Sequence, residues 1–550
     1  MSNEKELVFL PLGGVGEIGM NLALYGYAGK WLMVDLGITF GDETTPGIEV
    51  FMPDPAFIVE RREDLVGIVL THGHEDHLGA VAHLWPQLRC PVYATPFSTS
   101  LLKGKLHEAG LQNEVLIHSV DVGETVKIGP FSVEWVRQTH SIPEPNSLAI
   151  KTPLGTVLHT GDWKFDPKPL IGGAADTTRL EALGDAGVLA VVGDSTNVFN
   201  KGTTGSEAAV RESLIELFGH YKKRIAVACF ATNVARVESI AVAAAAHGRH
   251  VALAGRSLWK IDKAARENGY LKDIPPFLDE HDAAHLPEEK VVYICTGSQG
   301  EPRAALARIA SDNHPHVVLR TGDVVIFSSR VIPGNEKDIY KLQNQFVRAG
   351  VEVVTEKDHF VHVSGHPGRE DMTRLYSLVR PQIAVPVHGE LRHLLEHADL
   401  AQQCQVPKQM VIGNGDMLKL APGEPEIVGQ VQTGRLAMDG TRLVPADSVV
   451  LRDRNRMMYN GSAVVTVVFD RSGNMLGDPQ VSAVGLLDPE HEAEEHEAVV
   501  EAVKEAVAEL PAAARRDDEV TREAVRVAVR RHLKKSHGKK PLTDVHLVRV

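Results

Sequence analysis

The sequence predicts a layered α/β fold, with a second α/β block inserted into it and a small α+β domain after it. Three observations lead there. Residues 1–195 alternate apolar runs with helical stretches, and several of those runs end in an acid or a histidine. Residues 196–360 repeat the strand–loop–helix pattern without adding such a ligand, and His388 lies beyond them, so the block reads as an insertion. Residues 446–550 hold strand-like and long helical segments of their own. The expected divisions are 1–195 and 361–430 for the first domain, 196–360 for the insertion, 431–445 for a Gly-, Thr- and Asp-rich linker, and 446–550 for the last domain.

The elements follow in order. Gly14-Val-Gly16-Glu-Ile-Gly19 matches the glycine string of dinucleotide-binding loops. Such a loop must open a helix that holds the pyrophosphate. Residues 21–30 instead alternate and turn like a hairpin, so the glycines read as a tight loop near the site. Residues 31–35 are an apolar run ending in Asp35, and 66–70 read as a buried strand followed by a helix over 78–85. Residues 131–139 lead to His140, 156–160 lead through Gly161 to Asp162, and 383–387 lead to His388. Within the insertion, 225–230, 251–254, 291–295 and 324–327 read as strands. At the end, 464–469 and 546–550 read as strands, and 492–510 and 521–535 as helices.

His72-Gly-His74-Glu-Asp76-His77 falls on the turn from the 66–70 strand into its helix. A spacing of two puts His72 and His74 on one side of an extended segment. Asp76 and His77 are adjacent and leave the next turn in different directions. One segment can thus serve two neighbouring ions. A single histidine would read as a surface or core residue, but this grouping of imidazoles and carboxylates suits Zn²⁺ well and Mn²⁺ tolerably. One site takes His72, His74 and His140; the other takes Asp76, His77 and His388; Asp162 bridges them, and a hydroxide completes the pair. Two ions about 3.5–4 Å apart activate water and clamp the oxygens of an in-line displacement.

These residues also carry a resemblance. Asp35, HGHEDH (72–77), His140 and Asp162 stand in the order of the metallo-β-lactamase motifs. Asp194 in VVGDSTN, His366 in HVSGHPGRED and His388 in PVHGE are similar to the three further motifs of β-CASP nucleases. With LGGVGEIGMN, HTGDWKFDP and FSSRVIPGNE, the chain resembles the bacterial ribonuclease J family over nearly its whole length. Two departures stand out. HSIPEPNSL (140–148) is longer than the usual His-Ser-Ile-Pro-Asp-Ser, and Arg330 occupies the place of a third serine.

The resemblance implies a metallo-β-lactamase αββα sandwich, an inserted α/β β-CASP domain and a small α+β C-terminal domain. It implies a zinc-dependent ribonuclease with two Zn²⁺ per subunit, Mn²⁺ or Mg²⁺ being alternatives. RNA is the substrate, cleaved 5′-to-3′ and internally in RNA maturation, rRNA processing and mRNA decay, with a preference for 5′-monophosphorylated ends. The bridging hydroxide attacks the phosphodiester. Asp76 holds metal and orients that nucleophile, His366 protonates the leaving 3′ oxygen or stabilises the transition state, and Asp194 sets the tautomer of His366. Asp35 orients a ligand imidazole from behind. Ser328, Ser329, Ser364, Gly365, His366 and Arg256 are the candidates for binding substrate phosphate, since hydroxyls and amides at helix starts make anion sites and arginine grips phosphate bidentately. The last domain is expected to assemble homodimers or homotetramers, and other RNA-decay proteins are expected partners.

Three rival functions are weighed. A small-molecule hydrolase of the same fold explains HGHEDH, but not the insertion or the HVSGH and PVHGE motifs. A β-CASP DNA nuclease shares the insertion, but that branch usually has an apolar residue where His388 stands. A non-catalytic RNA-binding scaffold would have lost ligands, and none is missing.

Composition agrees. A chain of 550 residues is too long for one core. It has no run of 18 apolar residues, which argues against a membrane partner. MSNEKELVFL lacks the basic start and apolar core of a targeting segment. The four cysteines lack metal-type spacing and read as buried hydrophobes in a reducing cytoplasm. The net charge of -14 requires that positive potential for RNA be local. Arg522, Arg526, Arg530 and Lys534 form a stripe beside Val525, Val529 and Leu533. This is a solvated face paired with the acidic stretch 488–510, an RNA contact or a subunit interface. Phe40 and Phe230 lie near loops, where they stack bases or join the core.

Overall fold

The structure, a computed structural model, describes residues 5–42, 44–332, 334–488 and 490–550, so Pro333 of the FSSRVIPGNE motif lies outside the described residues. The chain divides into two compact units. One comprises residues 5–39 and 52–434, the other Phe40–Phe51 and Arg435–Val550.

The first unit is built on two facing sheets. One has eight strands in the order Glu426–Gln430, Asp416–Ala421, Leu7–Gly13, Leu22–Tyr27, Lys30–Val34, Leu65–Val69, Val92–Ala94, Ile117–Ser119. The other has seven: Thr125–Ile128, Phe131–Arg137, Asn146–Thr152, Gly155–His159, Ala190–Asp194, Ile383–Val387, Lys408–Gln409. Alternation along each strand sends Phe9, Tyr25, Leu32 and Val34 from one sheet, and Val133, Trp135, Leu148 and Val157 from the other, into one shared core. The opposite parity of the second sheet, Val136, Leu158 and Val191, packs under Leu180, Leu375 and Leu400 of the helices Thr177–Ala186, Arg369–Val379 and Leu391–Gln403. The helix expected over 78–85 is in fact two, Glu75–Leu78 and Val81–Leu88, because the chain turns at Gly79 and Ala80.

The glycine-rich segment opens no helix. Leu22–Tyr27 and Lys30–Val34 form an antiparallel hairpin, as the alternation predicts. The glycine loop packs on the far motif instead: Val15 and Gly16 pair with Gly389 and Glu390, and His388 N donates to Gly14 O at 2.7 Å.

Between the second sheet's strands Ala190–Asp194 and Ile383–Val387 the chain makes a third, all-parallel sheet. Its order is Leu278–Asp279, His250–Ala254, Val291–Cys295, Ile225–Ala228, Val324–Phe327, Glu352–Val354. Its strands are apolar on both parities, and helices cover both faces. The order reverses around Ile225–Ala228. This gathers the loops after Val291–Cys295 and Val324–Phe327 at one carboxyl end, where open α/β sheets bind ligands.

In the second unit, Gln480–Ser482, Ser462–Phe469 and Leu542–Arg549 form a sheet. Ala463, Val465, Val467 and Phe469 pack against Val499, Val503 and Val507 of the helix Ala493–Ala508, and against Val525, Val529 and Leu533 of Asp518–His537. The basic helix meets the acidic one through His532–Glu495 at 3.1 Å and His537–Glu492 at 3.4 Å, and Arg526 pairs with Glu523 on its own helix. Where composition suggests a linker over 431–445, residues Arg435–Asp439 and Arg442–Pro445 form a hairpin that belongs to this unit. A short polar sequence with Gly440 at a positive φ is as good a hairpin turn as it is a linker. Phe40–Phe51 also belongs to this unit, and Phe40 is 69% exposed there. Among the described residues no helix is long and apolar enough to cross a membrane.

Candidate metal centre

Five strand ends converge. Asp35 follows Lys30–Val34, His72 follows Leu65–Val69, Asp162 follows Gly155–His159, Asp194 ends its strand, and His388 follows Ile383–Val387. The last three strands are adjacent and parallel, and Asp194 lies in register with Val387 beside His388. Asp35 and His388 adopt φ of 60° and 51°, a backbone region that non-glycine residues rarely enter and that marks over-determined sites. Gly37 is required: a Cβ there would lie 1.6 Å from Asp76 O, because residues 36–38 bond along the backbone of 75–77.

Two groups of four ligand atoms result, His72–His74–His140–Asp162 and Asp76–His77–His388–Asp162. In the first, His74 Nδ1 is 3.0 Å from both His72 Nε2 and His140 Nε2, and Asp162 Oδ2 is 3.9 and 3.7 Å from those two nitrogens. In the second, His77 Nε2 is 3.5 Å from Asp76 Oδ2 and 3.3 Å from Asp162 Oδ2, while His388 Nε2 is 3.7 Å from Asp76 Oδ2 and 3.5 Å from Asp162 Oδ1. Donors at zinc distance on a tetrahedron sit about 3.3 Å apart, so both groups have the edge lengths of a cation cage. Asp162 Oδ1 is buried without a hydrogen-bond partner among the described residues, an atom that a cation would satisfy.

The rear nitrogens are tied as metal ligands require. His77 Nδ1 meets Asp35 Oδ2 at 2.7 Å, and Asp35 Oδ1 accepts from Thr71 N at 2.8 Å. His72 Nδ1 lies 3.0 Å from Thr71 Oγ1. His140 Nδ1 donates to Gly365 O at 2.6 Å, and His388 Nδ1 faces Asn21 Oδ1 at 3.1 Å. Asp35→Ala is expected to weaken metal binding about 10–100-fold, the usual scale for losing such support. Competition with a fluorescent chelator measures it, and unchanged affinity would remove Asp35 from the centre.

Charge in the chain alone favours cations. Burial, then neighbouring imidazoles, holds His72 and His140 well below the usual histidine value. Burial pushes His74 down to about 4. These rings are therefore neutral and have lone pairs to give. Burial opposes the charge on Asp162, but His388 and His77 outweigh it and keep the carboxylate well below its ordinary range. Burial opposes charge on His77 too, and Asp162, Asp76 and Asp35 overcome it, raising the ring well above the usual value.

His366 stands beside the ligands. Its Nδ1 is 2.8 Å from Asp194 Oδ2 and 3.8 Å from Asp162 Oδ2. Burial lowers its pKa, while Asp194, Asp162 and Asp76 raise it to about 9. Its carbonyl accepts from Thr204 Oγ1 at 2.6 Å and Asn197 Nδ2 at 3.1 Å. Ser364 Oγ accepts from Asn197 Nδ2 at 2.7 Å and His366 N at 3.2 Å.

The other expected phosphate contacts fare differently. Ser328 is corrected to a structural role. Its hydroxyl donates to Val361 O at 2.7 Å and accepts from Arg236 Nη1 at 2.7 Å, in a buried network with Glu207. Gly365 packs against a candidate ligand. Its carbonyl holds His140, and a Cβ there would be 2.5 Å from that ring. Ser329 is buried at the same loop. Arg256 is exposed at the start of the helix Arg256–Glu267, and no contact with the centre is described for it. Phe230 is 37% exposed, beyond the end of Ile225–Ala228. The long loop after His140 is anchored: Glu144 accepts from Phe97 N at 2.8 Å and Tyr270 Oη at 2.9 Å, and Asn146 N donates to Thr71 O at 3.2 Å. Asn21, Thr71 and Asn197 escape a reading by ligand type, since amides and hydroxyls carry no metal signature. Only the position of Asn21, closing the glycine-rich motif, hinted at it.

This fold and this ligand set define a metallo-hydrolase. Residues 19–217 match the family described as "Metallo-beta-lactamase superfamily", 222–346 "Ribonuclease J, beta-CASP domain", 350–408 "Zn-dependent metallo-hydrolase RNA specificity domain", and 449–550 "Ribonuclease J C-terminal domain". The chain is 45% identical to Ribonuclease J of Sinorhizobium meliloti, covering 100% of this chain and 98% of that one. It is 38% identical to Ribonuclease J 1 of Streptococcus pyogenes (88% and 87% covered) and 33% identical to Ribonuclease J of Thermus thermophilus (97% and 93%). A solved structure, a protein of unknown function from Enterococcus faecalis, shares the fold with a TM-score of 0.51 at 14% identity, over 75% of this chain and 100% of that one. The chain belongs to the ribonuclease J family: a metal-dependent ribonuclease with a metallo-β-lactamase domain, an inserted β-CASP domain and a C-terminal domain.

Proposed function

We propose that this protein is a two-zinc ribonuclease of the cytoplasm that degrades RNA 5′-to-3′, cuts it internally, and prefers 5′-monophosphorylated ends, in RNA maturation, rRNA processing and mRNA decay. The observation that carries the reading is the pair of four-ligand groups sharing Asp162, with the Asp194–His366 pair 3.8 Å from that shared carboxylate. Two bound ions, with Mn²⁺ or Mg²⁺ as alternatives to Zn²⁺, supply an activated water and neutralise charge on the phosphorane-like transition state. Asp76, beside His77 and His388, would hold one ion and would orient the incoming nucleophile. His366 faces the scissile phosphate with its Nδ1 pinned by Asp194, which leaves Nε2 to protonate the leaving 3′ oxygen. Ser364 has accepted two hydrogen bonds and keeps its own O–H for a phosphate oxygen. Assembly into dimers or tetramers is supported by the apolar side chains of Val449–Asn460, with Val449 60% and Tyr459 62% exposed.

The test uses one RNA labelled at either end and bearing 5′-monophosphate, 5′-triphosphate or 5′-hydroxyl. Rapid mononucleotide release from the monophosphate form is expected, with slower attack on the triphosphate form, internal cuts in all three, and loss of both activities with a chelator. Equal rates on all ends would remove the end preference. Activity that survives exhaustive chelation would remove the metals.

A further inference from the structure

Arg330 stands on the loop after Val324–Phe327, where the family pattern has a third serine. Its backbone is fixed by a neighbouring loop. Gln299, after Val291–Cys295, donates to Arg330 O at 2.8 Å and accepts from Ile332 N at 2.9 Å. Its guanidinium donates to Asn197 Oδ1 at 3.0 Å. The same Asn197 side chain donates to Ser364 Oγ and to His366 O. One amide therefore ties this exposed cation to the segment that carries His366. A guanidinium has five N–H donors, and Asn197 takes only one side of the fork.

Two buried groups lie on the adjoining segments. The Ser328–Val361 bond holds the strand end carrying Ser329 and Arg330 against the segment carrying His362. Ser329 is buried. His362 Nδ1 is buried with no hydrogen-bond partner among the described residues. Burial, then the charges of Arg236, Lys164 and Arg330, holds His362 well below the usual histidine value, so its ring is neutral, and it bonds the Ser328 backbone. A buried polar atom left unpaired is costly and calls for a ligand or a water.

We infer that Arg330 is the specificity-determining residue for the phosphorylation state of the RNA 5′ end. The Arg330 guanidinium, held by Asn197 beside the His366 segment, receives the added phosphates of a triphosphorylated end. A serine at this position would offer one neutral hydroxyl to a group that brings added negative charge. Arginine supplies a compensating charge and a planar fork that matches phosphate oxygens. The triphosphorylated end is thereby tolerated better than a serine-bearing loop would allow. This rests on the end-reading site proposed above.

The test compares the full chain with Arg330→Ser and Arg330→Lys on three forms of one RNA: 5′-monophosphorylated, 5′-triphosphorylated and circular. The circular form has no end, so its first cut reports the metal centre alone. Arg330→Ser is expected to lower kcat/KM for the triphosphorylated relative to the monophosphorylated RNA about tenfold or more, mostly through KM, the scale of a lost charge-assisted contact. Arg330→Lys should fall between, keeping the charge without the fork. If Arg330→Ser slows all three forms together through kcat, Arg330 only props Asn197 and the His366 segment, and the inference fails. An unchanged ratio between the two linear forms also overturns it. If the unmodified protein treats linear and circular RNA alike, the end-reading site itself falls and takes the inference with it.

Discussion

Asp162→Ala is expected to lose both ions and essentially all nuclease activity, where His388→Ala loses one ion. Asp162 is the only residue shared by the two ligand groups, with Oδ2 facing His72, His140 and His77, and Oδ1 facing His388. Without it, neutral imidazoles crowd one another within 3.0 Å at His72–His74 and His74–His140, and no carboxylate joins the halves. A cation there would lose its bridging charge, and the low dielectric of the buried site makes that loss large. Metal content of the purified variants by elemental analysis, alongside RNA cleavage, checks the result. An Asp162→Ala protein that keeps the full metal content would show that the two groups do not share a bridge.

His366→Ala is expected to keep its metal and its RNA binding, yet lose about 10²–10⁴ in turnover, the usual scale for a positioned general acid. His366 Nδ1 is occupied by Asp194, so the ring is oriented as a proton donor and not as a ligand. Its charge state fits, since Asp194, Asp162 and Asp76 together overcome burial and raise its pKa. Single-turnover rates with saturating RNA, combined with metal analysis, separate the two roles. Loss of metal in this variant would make His366 a ligand, for which the grouping of Asp162, Asp194, His366 and His388 gives the alternative geometry.

The ligand-type residues that converge in space are those that sequence spacing singles out. HGHEDH, His140, Asp162 and His388 each follow an apolar run, and a strand buried in a sheet fixes where its last residue points. This information is local: a few residues of pattern specify a strand, and the strand end specifies a position at the rim of the sheet. The insertion was legible for the same reason, as a second series of apolar runs lacking ligand residues at their ends.

Contacts between distant segments were not legible. Asn21 meets His388 across 367 residues, and Gly365 O meets His140 across 225. Nothing in either short stretch announces its partner, because an amide or a carbonyl gains a role only from what packs against it. Ser328 shows the converse. A hydroxyl before a glycine turn looks free for phosphate, until the buried Arg236–Glu207 pair from the helices Val234–Ala246 and Glu207–Phe218 takes it up. The hairpin at 435–445 and the assignment of Phe40–Phe51 to the second unit were likewise settled by tertiary structure, since polar, turn-rich sequence is compatible with either a linker or paired strands. By itself, then, the sequence determined the metal-ligand candidates and the order of the layers, through periodicity and spacing. Tertiary structure alone decided which neutral groups orient those ligands and which hydroxyls remain for substrate, because hydrogen bonds between distant segments are set by packing geometry and not by residue type.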